Sequence, residues 1–158
     1  MKLKRLQFAK KYKDWTSQQL SRVLFSDETT IQQFPSRKRT VRRPPGTRYN
    51  ERFTQQTMKH PPSVMIWRAI STQGTAGLFF LDPGTTMNGK KYLELMKEKL
   101  ELHMAVHNCE IIFMPCHRTK IVTDFLKTKN IKLLEWPGNS SDLNPIENFW
   151  TELKNRVC

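Results

Sequence analysis

Acidic residues are scarce in this 158-residue chain: 14 Asp and Glu stand against 27 Lys and Arg, a formal net charge of +13. The excess of cations is spread along the chain rather than gathered in a tail, and such a field favours a polyanionic partner. Long apolar runs are also missing. None approaches the roughly 20 residues that carry a helix across a bilayer, and the basic start MKLKRLQFAKKYKDW lacks the apolar centre of a secretory leader. Cysteine is rare as well. Cys109, Cys116 and Cys158 make an odd count without framework spacing, which argues against a disulfide scaffold and suits a reducing compartment. The chain is therefore expected inside the cell, with no membrane partner. Its length suits one domain with a sizeable core.

What is present is organised around one stretch near the C-terminus, Glu135 to Trp150, EWPGNSSDLNPIENFW. Asn144 followed by Pro145 is a helix start, because Asn caps well and Pro fits the first helical position, where an N–H has no partner anyway. Ile146, Phe149, Trp150, Leu153 and Val157 then recur at helical spacing, so one face can be buried against a sheet. Glu147 falls three residues after the cap. It reads either as the far end of a capping box or as a metal-binding carboxylate. The second role needs another acidic group brought close by the fold, since Mg²⁺ is held by few carboxylates, water and phosphate oxygens.

Upstream, residues 2 to 22 read as helix with a ragged apolar face that leans on the domain, with Thr16 or Ser17 capping a second short helix. Val23-Leu24-Phe25-Ser26-Asp27 is an apolar run closing on an acid, and an Asp there is costly unless paired or bound to metal. From Ser36 to Arg52 the chain is loop or hairpin, and its cluster Arg37, Lys38, Arg39, Arg42 and Arg43 suits phosphate contacts or a nuclear-import signal. The spacing predicts strands over 63–70 and 77–81, a long helix over 88–106, a strand at 111–113, a helix over 119–129 and a strand at 131–134. Three strands, then helix, strand, helix, strand, helix, without internal repeat, point to a mixed sheet covered by helices.

FSDET at the end of the first strand, a later strand running into PCHRTK, and WPGNSSDLNPIENFW before the last helix together resemble the catalytic domain of Tc/mariner-superfamily transposases. The resemblance runs from about residue 5 to the end. It implies an α/β, ribonuclease H-like fold: a mixed five-stranded sheet, three antiparallel strands then two parallel, flanked by helices. Residues 1–22 would be a helical linker and 23–158 the DDE domain, lacking the helix-turn-helix modules that recognise transposon ends in the family. In that family two Asp and one Glu hold two Mg²⁺ (or Mn²⁺) ions for phosphoryl transfer on DNA. Carried over by motif, Asp27 is the first carboxylate and Glu147 the third, and both are implied metal ligands. DNA is the implied partner, the nucleus the expected compartment, and a homodimer one assembly to be tested.

The second carboxylate is absent. Phe113-Met114 runs directly into Pro115, as if about four residues were lost between Met114 and Pro115, the central Asp among them; restoring an Asp three before Pro115 would leave about 34 residues before Glu147, the family's spacing. Ser141 stands where the family has Pro, and Arg68 where a Gly is usual, on a face shared with Val64, Ile66 and Ile70. Glu110, Asp124 and Asp142 are all misplaced to substitute for the lost Asp. His103, His107, Cys109, Cys116 and His117 supply zinc-type donors, but their spacing fits no finger or knuckle. The chain is thus expected to be a transposase-derived domain with weakened metal binding and little or no cleavage. The alternatives are a residual single-metal nuclease and a repurposed DNA-binding module without sequence preference.

Overall fold

The computed structural model describes residues 2–32, 41–54, 59, 61–107 and 110–157. Five strands form one sheet in the order β3-β2-β1-β4-β5, with β1 at Val23–Gln32, β2 at Ser63–Ser71, β3 at Gly74–Phe80, β4 at Ile112–Met114 and β5 at Lys132–Leu133. β1, β2 and β3 pair antiparallel, while β4 and β5 run parallel to β1. This is the mixed topology expected from the order of elements. β1 departs from expectation by continuing through Asp27 to Gln32, because Thr29, Thr30 and Ile31 pair with Ile66, Met65 and Val64. Such β-branched residues suit a pleated, half-buried surface. The hairpin partner β3 also starts earlier than expected, at Gly74, and carries one extra residue opposite Arg68–Ile70. Gly77, with φ +87°, supplies the backbone conformation that this bulge requires.

The helices are α1 (Lys2–Tyr12), α2 (Ser17–Ser21), α3 (Gly89–Leu95), α4 (Glu101–His107), α5 (Lys120–Thr128) and α6 (Ile146–Val157). The expected segment over residues 2–22 breaks after Tyr12 and restarts at Thr16, whose hydroxyl accepts from Gln19 N–H in a capping box. The helix expected over 88–106 is interrupted by a π turn at Met96–Leu100. The widened turn lets Leu95, Met96 and Leu100 all be buried.

Alternation along β1 sorts the core. Leu24, with Trp67 and Ala69 of β2, faces Tyr92, Leu95, Met96 and Leu100 of the α3–α4 segment and Val122 and Leu126 of α5. On the other face Ile31 and Ile66 meet Ile146 and Trp150 of α6. Beside them Val23, Met114 and Leu134 are covered by Phe8, Tyr12, Trp15 and Trp136. Phe113 of β4 is fully buried, so Phe113→Ala is expected to cost about 3–5 kcal/mol in urea unfolding, whereas Leu3→Ala, at a side chain 66% exposed, stays within about 0.5 kcal/mol.

Candidate active site

β4 ends at Met114, level with Phe25 of β1, so β1 runs on alone past Asp27 on that side. A crevice opens where these parallel strands end, the place where open α/β sheets bind ligands. Ser26, Asp27, Met114, Pro115, Cys116, Asn139, Ser140, Asn144 and Glu147 are among the residues around this cavity of about 480 Å³. Asp27 lies on the face covered by α6. Glu147 lies in the first turn of α6, where the helix dipole favours a carboxylate. The capping-box alternative for Glu147 is not formed: the Asn144 N–H donates to Ser141 O at 2.8 Å, and the Asn144 side chain instead accepts from Ile146 N–H at 3.4 Å.

Burial pushes the Asp27 carboxyl up to about 6, with further increments from the Glu147 and Glu28 carboxylates. The Glu28 backbone N–H and the Trp150 indole act in the opposite direction. The indole N–H is buried and makes no hydrogen bond by ordinary geometry. Asp27 and Glu147 therefore border one cavity, and the Glu147 charge adds to the burial that disfavours ionisation of Asp27. This is the environment a hard divalent cation relieves.

Behind Asp27, on the opposite face of β1, a second polar group is present that local pattern did not reveal. His117 Nε2 lies 3.0 Å from Glu28 Oε1, and the His117 ring packs at 4.9 Å on Tyr92. Ser26 Oγ donates to Met114 O at 2.7 Å. Cys116 is exposed as a residue, yet its sulfur turns inward, donating to Glu28 Oε1 at 3.5 Å. Burial, and then the Glu28 charge, raise its thiol well above the ordinary range, which disqualifies it as a nucleophile.

Arg118 borders the cavity, and two further cations brace the elements around it. Arg68 is directly opposite Asp27 in the β1–β2 register. Its guanidinium turns onto the Phe149 ring at 4.1 Å, which accounts for a charge on an otherwise apolar face. Its Nε is buried without a partner, and burial lowers its pKa. Arg5 of α1 forms a fork with Asp142 at 2.8 and 2.7 Å and also donates to Ser140 Oγ at 2.9 Å. The fork raises the Arg5 pKa and lowers that of Asp142. Asp142 is the central residue of the 3₁₀ turn Ser141–Leu143 leading into α6 and is held there by α1, a contact across 137 residues.

Among the described residues, Asp27 and Glu147 are the acids that border the cavity. Asp124 is exposed on α5 and Glu110 is exposed before β4, while Asp142 is engaged by Arg5; none of the three borders the cavity. Among the described residues no group of three His, Cys, Asp or Glu is placed to hold a metal, so the zinc alternative has no support there; Cys109 and the side chain of His107 lie outside the described residues. Of the basic cluster, Arg42 and Arg43 are exposed in irregular chain, and Arg37, Lys38 and Arg39 lie outside the described residues.

A sheet of this order, with a first-strand Asp and a last-helix Glu meeting at the strand ends, defines a ribonuclease H-like domain. Residues 22–158 match the family model described as DDE superfamily endonuclease. The chain belongs to that family and is a Tc/mariner-type transposase domain. It is 29% identical over 164 residues to the Tc1 transposase of Caenorhabditis elegans, covering 99% of this chain and 59% of that one. It is 30% identical over 166 residues to the Tc3 transposase of the same organism, covering 94% and 45%. The chain thus spans about half to three-fifths of these relatives. Among solved structures, the mariner Mos1 paired end complex with Mg superposes with TM-score 0.78 at 20% identity, covering 99% of this chain and 47% of that one. The Mos1 catalytic domain with Raltegravir and Mg gives 0.68 at 17%, covering 99% and 70%.

Because Asp27 is harder to ionise folded than unfolded, its charge lowers stability as pH rises from about 4 through 6, and the loss persists above. Asp27→Asn is therefore expected to raise Tm at pH 7.5 by about 2–4 °C after allowance for solvent screening, with the gain vanishing below pH 4. Circular dichroism melts across pH 4–8 check this. Arg5→Ala is expected to lower Tm somewhat more than Asp142→Ala, since it also loses the bond to Ser140, and the double variant to lower it no further than Arg5→Ala, because the same fork is lost in each.

Proposed function

We propose that this domain binds DNA through its basic surface and holds one divalent cation between Asp27 and Glu147, too few ligands for efficient strand cleavage. The observation that carries this reading is the meeting of these two carboxylates at one cavity, with β4 passing straight from Met114 into Pro115 beside them. Two carboxylates plus water and phosphate oxygens fit one Mg²⁺ or Mn²⁺; they do not fit the two-ion arrangement. When bound, such an ion supplies Lewis acidity at a phosphoryl oxygen and lowers the pKa of bound water. The chain's own residues orient the site: the β1–β2 ladder fixes Asp27, the start of α6 presents Glu147, and the Arg5 fork fixes the turn ahead of it. The Mos1 paired-end complexes with a transposon end and with Mg make DNA and a divalent ion the natural ligands for this reading. On it the domain works in the nucleus, and a homodimer is the assembly to look for by sedimentation.

Calorimetric titration with Mn²⁺ is expected to give one site that Glu147→Gln abolishes. In supercoiled-plasmid nicking with Mn²⁺, the native chain is expected to cut little or not at all. A version with four residues inserted between Met114 and Pro115, Asp second, is expected to cut. Nicking by the native chain that Glu147→Gln removes would show that the missing carboxylate has been replaced and overturn the inactive reading. DNA affinity is expected to fall steeply between 50 and 200 mM salt with little sequence preference.

A further inference from the structure

A second cavity, of about 410 Å³, lies between α1 and the turn Glu135–Pro137. It meets the carboxylate cleft at a shared wall, since Arg118 and Trp136 border both. Its floor is aromatic: Trp136 is held edge-on by Phe8 at 5.3 Å and by Phe25 at 6.2 Å, so its indole is fixed before any ligand arrives. Its rim is cationic, with Lys4, Lys11 and Arg118 against the one carboxylate of Glu135. Lys11 is paired to that carboxylate at 2.7 Å. Arg118 uses one N–H on Leu134 O at 2.8 Å, which orients the guanidinium and leaves its other donors for an anion.

A rigid indole beside clustered cations is the chemistry that takes a base on its face and a phosphate on its edge. The volume suits one small ligand and not a duplex. We propose that this cavity receives an unpaired nucleotide of the DNA strand whose phosphate lies at Asp27 and Glu147, its base against Trp136 and its phosphate between Lys4 and Arg118. The proposal rests on the reading of the cleft as a DNA-strand site. It adds a specific place for the neighbouring nucleotide and a demand for single-stranded character there.

The test is photocrosslinking of 12-nucleotide single strands carrying 5-iodouracil at successive positions, with peptide mapping, in the full chain with and without Mn²⁺. The expected result is crosslinking at Trp136, weaker with the matched duplex. Replacing Trp136 risks undocking α1, so the affinity test uses the rim: Lys4→Gln and Arg118→Gln are each expected to weaken single-strand binding several-fold and to lower the salt slope by about 0.7, the value for one lost phosphate contact. Crosslinks confined to other residues, equal labelling by duplex, or unchanged salt slopes in both variants overturn the proposal. Mn²⁺ titration separates the two readings. Mn²⁺ bound through Glu147 with no labelling of Trp136 sinks the nucleotide site alone. Trp136 labelling in a chain that binds no Mn²⁺ sinks the metal reading and leaves the nucleotide site standing.

Discussion

A carboxylate taken out of water at the end of the parallel strands is the constraint on which this half of the molecule turns: burial first, and then the Glu147 charge, disfavour the ionised form of Asp27. Asp27 projects from the middle of β1, fixed by the β2 ladder opposite Arg68, and cannot move away. Glu147 rides the first turn of α6, whose Ile146 and Trp150 are buried against Ile31 and Ile66, so it cannot withdraw without breaking a core. The Asp27 proton is therefore held to an unusually high pH. A group that lowers stability where it is charged is the mark of a site shaped for a ligand rather than for the fold.

Around that pair, structural and chemical parts are separable. The three apolar clusters use residues of every strand and of α1, α3, α4, α5 and α6, and none needs a longer link between β4 and α5. The direct link from Met114 into Pro115 is therefore compatible with an intact sheet and its helices. α1 follows the same logic. It contributes no fully buried residue, yet its Arg5, Phe8 and Lys11 fasten the segment Glu135–Asp142 that walls the cleft. Arg68 behaves similarly, stapling β2 to α6 through Phe149.

Much of this was legible from local chemistry. Asn144-Pro145 starts a helix because both residues act within one turn, and the order of strands and helices predicts a mixed sheet because few topologies satisfy it. The length of β1 was misjudged, since Asp27 reads as a terminator while its backbone continues to pair with Arg68. The π turn at Met96–Leu100 was hidden because several apolar residues in a row fit ordinary helical spacing almost as well. The Arg5 fork, the Glu28–His117 pair and the stacking of Arg68 on Phe149 were invisible for another reason. Each joins residues far apart in sequence, and a single sequence without partners to compare carries no signal for such contacts.

The direct passage from Met114 into Pro115 also bears on heredity. Met114 is 3% exposed and level with Phe25, short of Asp27, so exchanging it for an acid would bury a charge in the wrong place. Pro115 is buried and begins the turn into α5. No single-base substitution lengthens a strand end; only an in-frame insertion of codons does. On the proposed reading, gaining a carboxylate level with Asp27 therefore takes an insertion of codons and not a point change, which is a far rarer event.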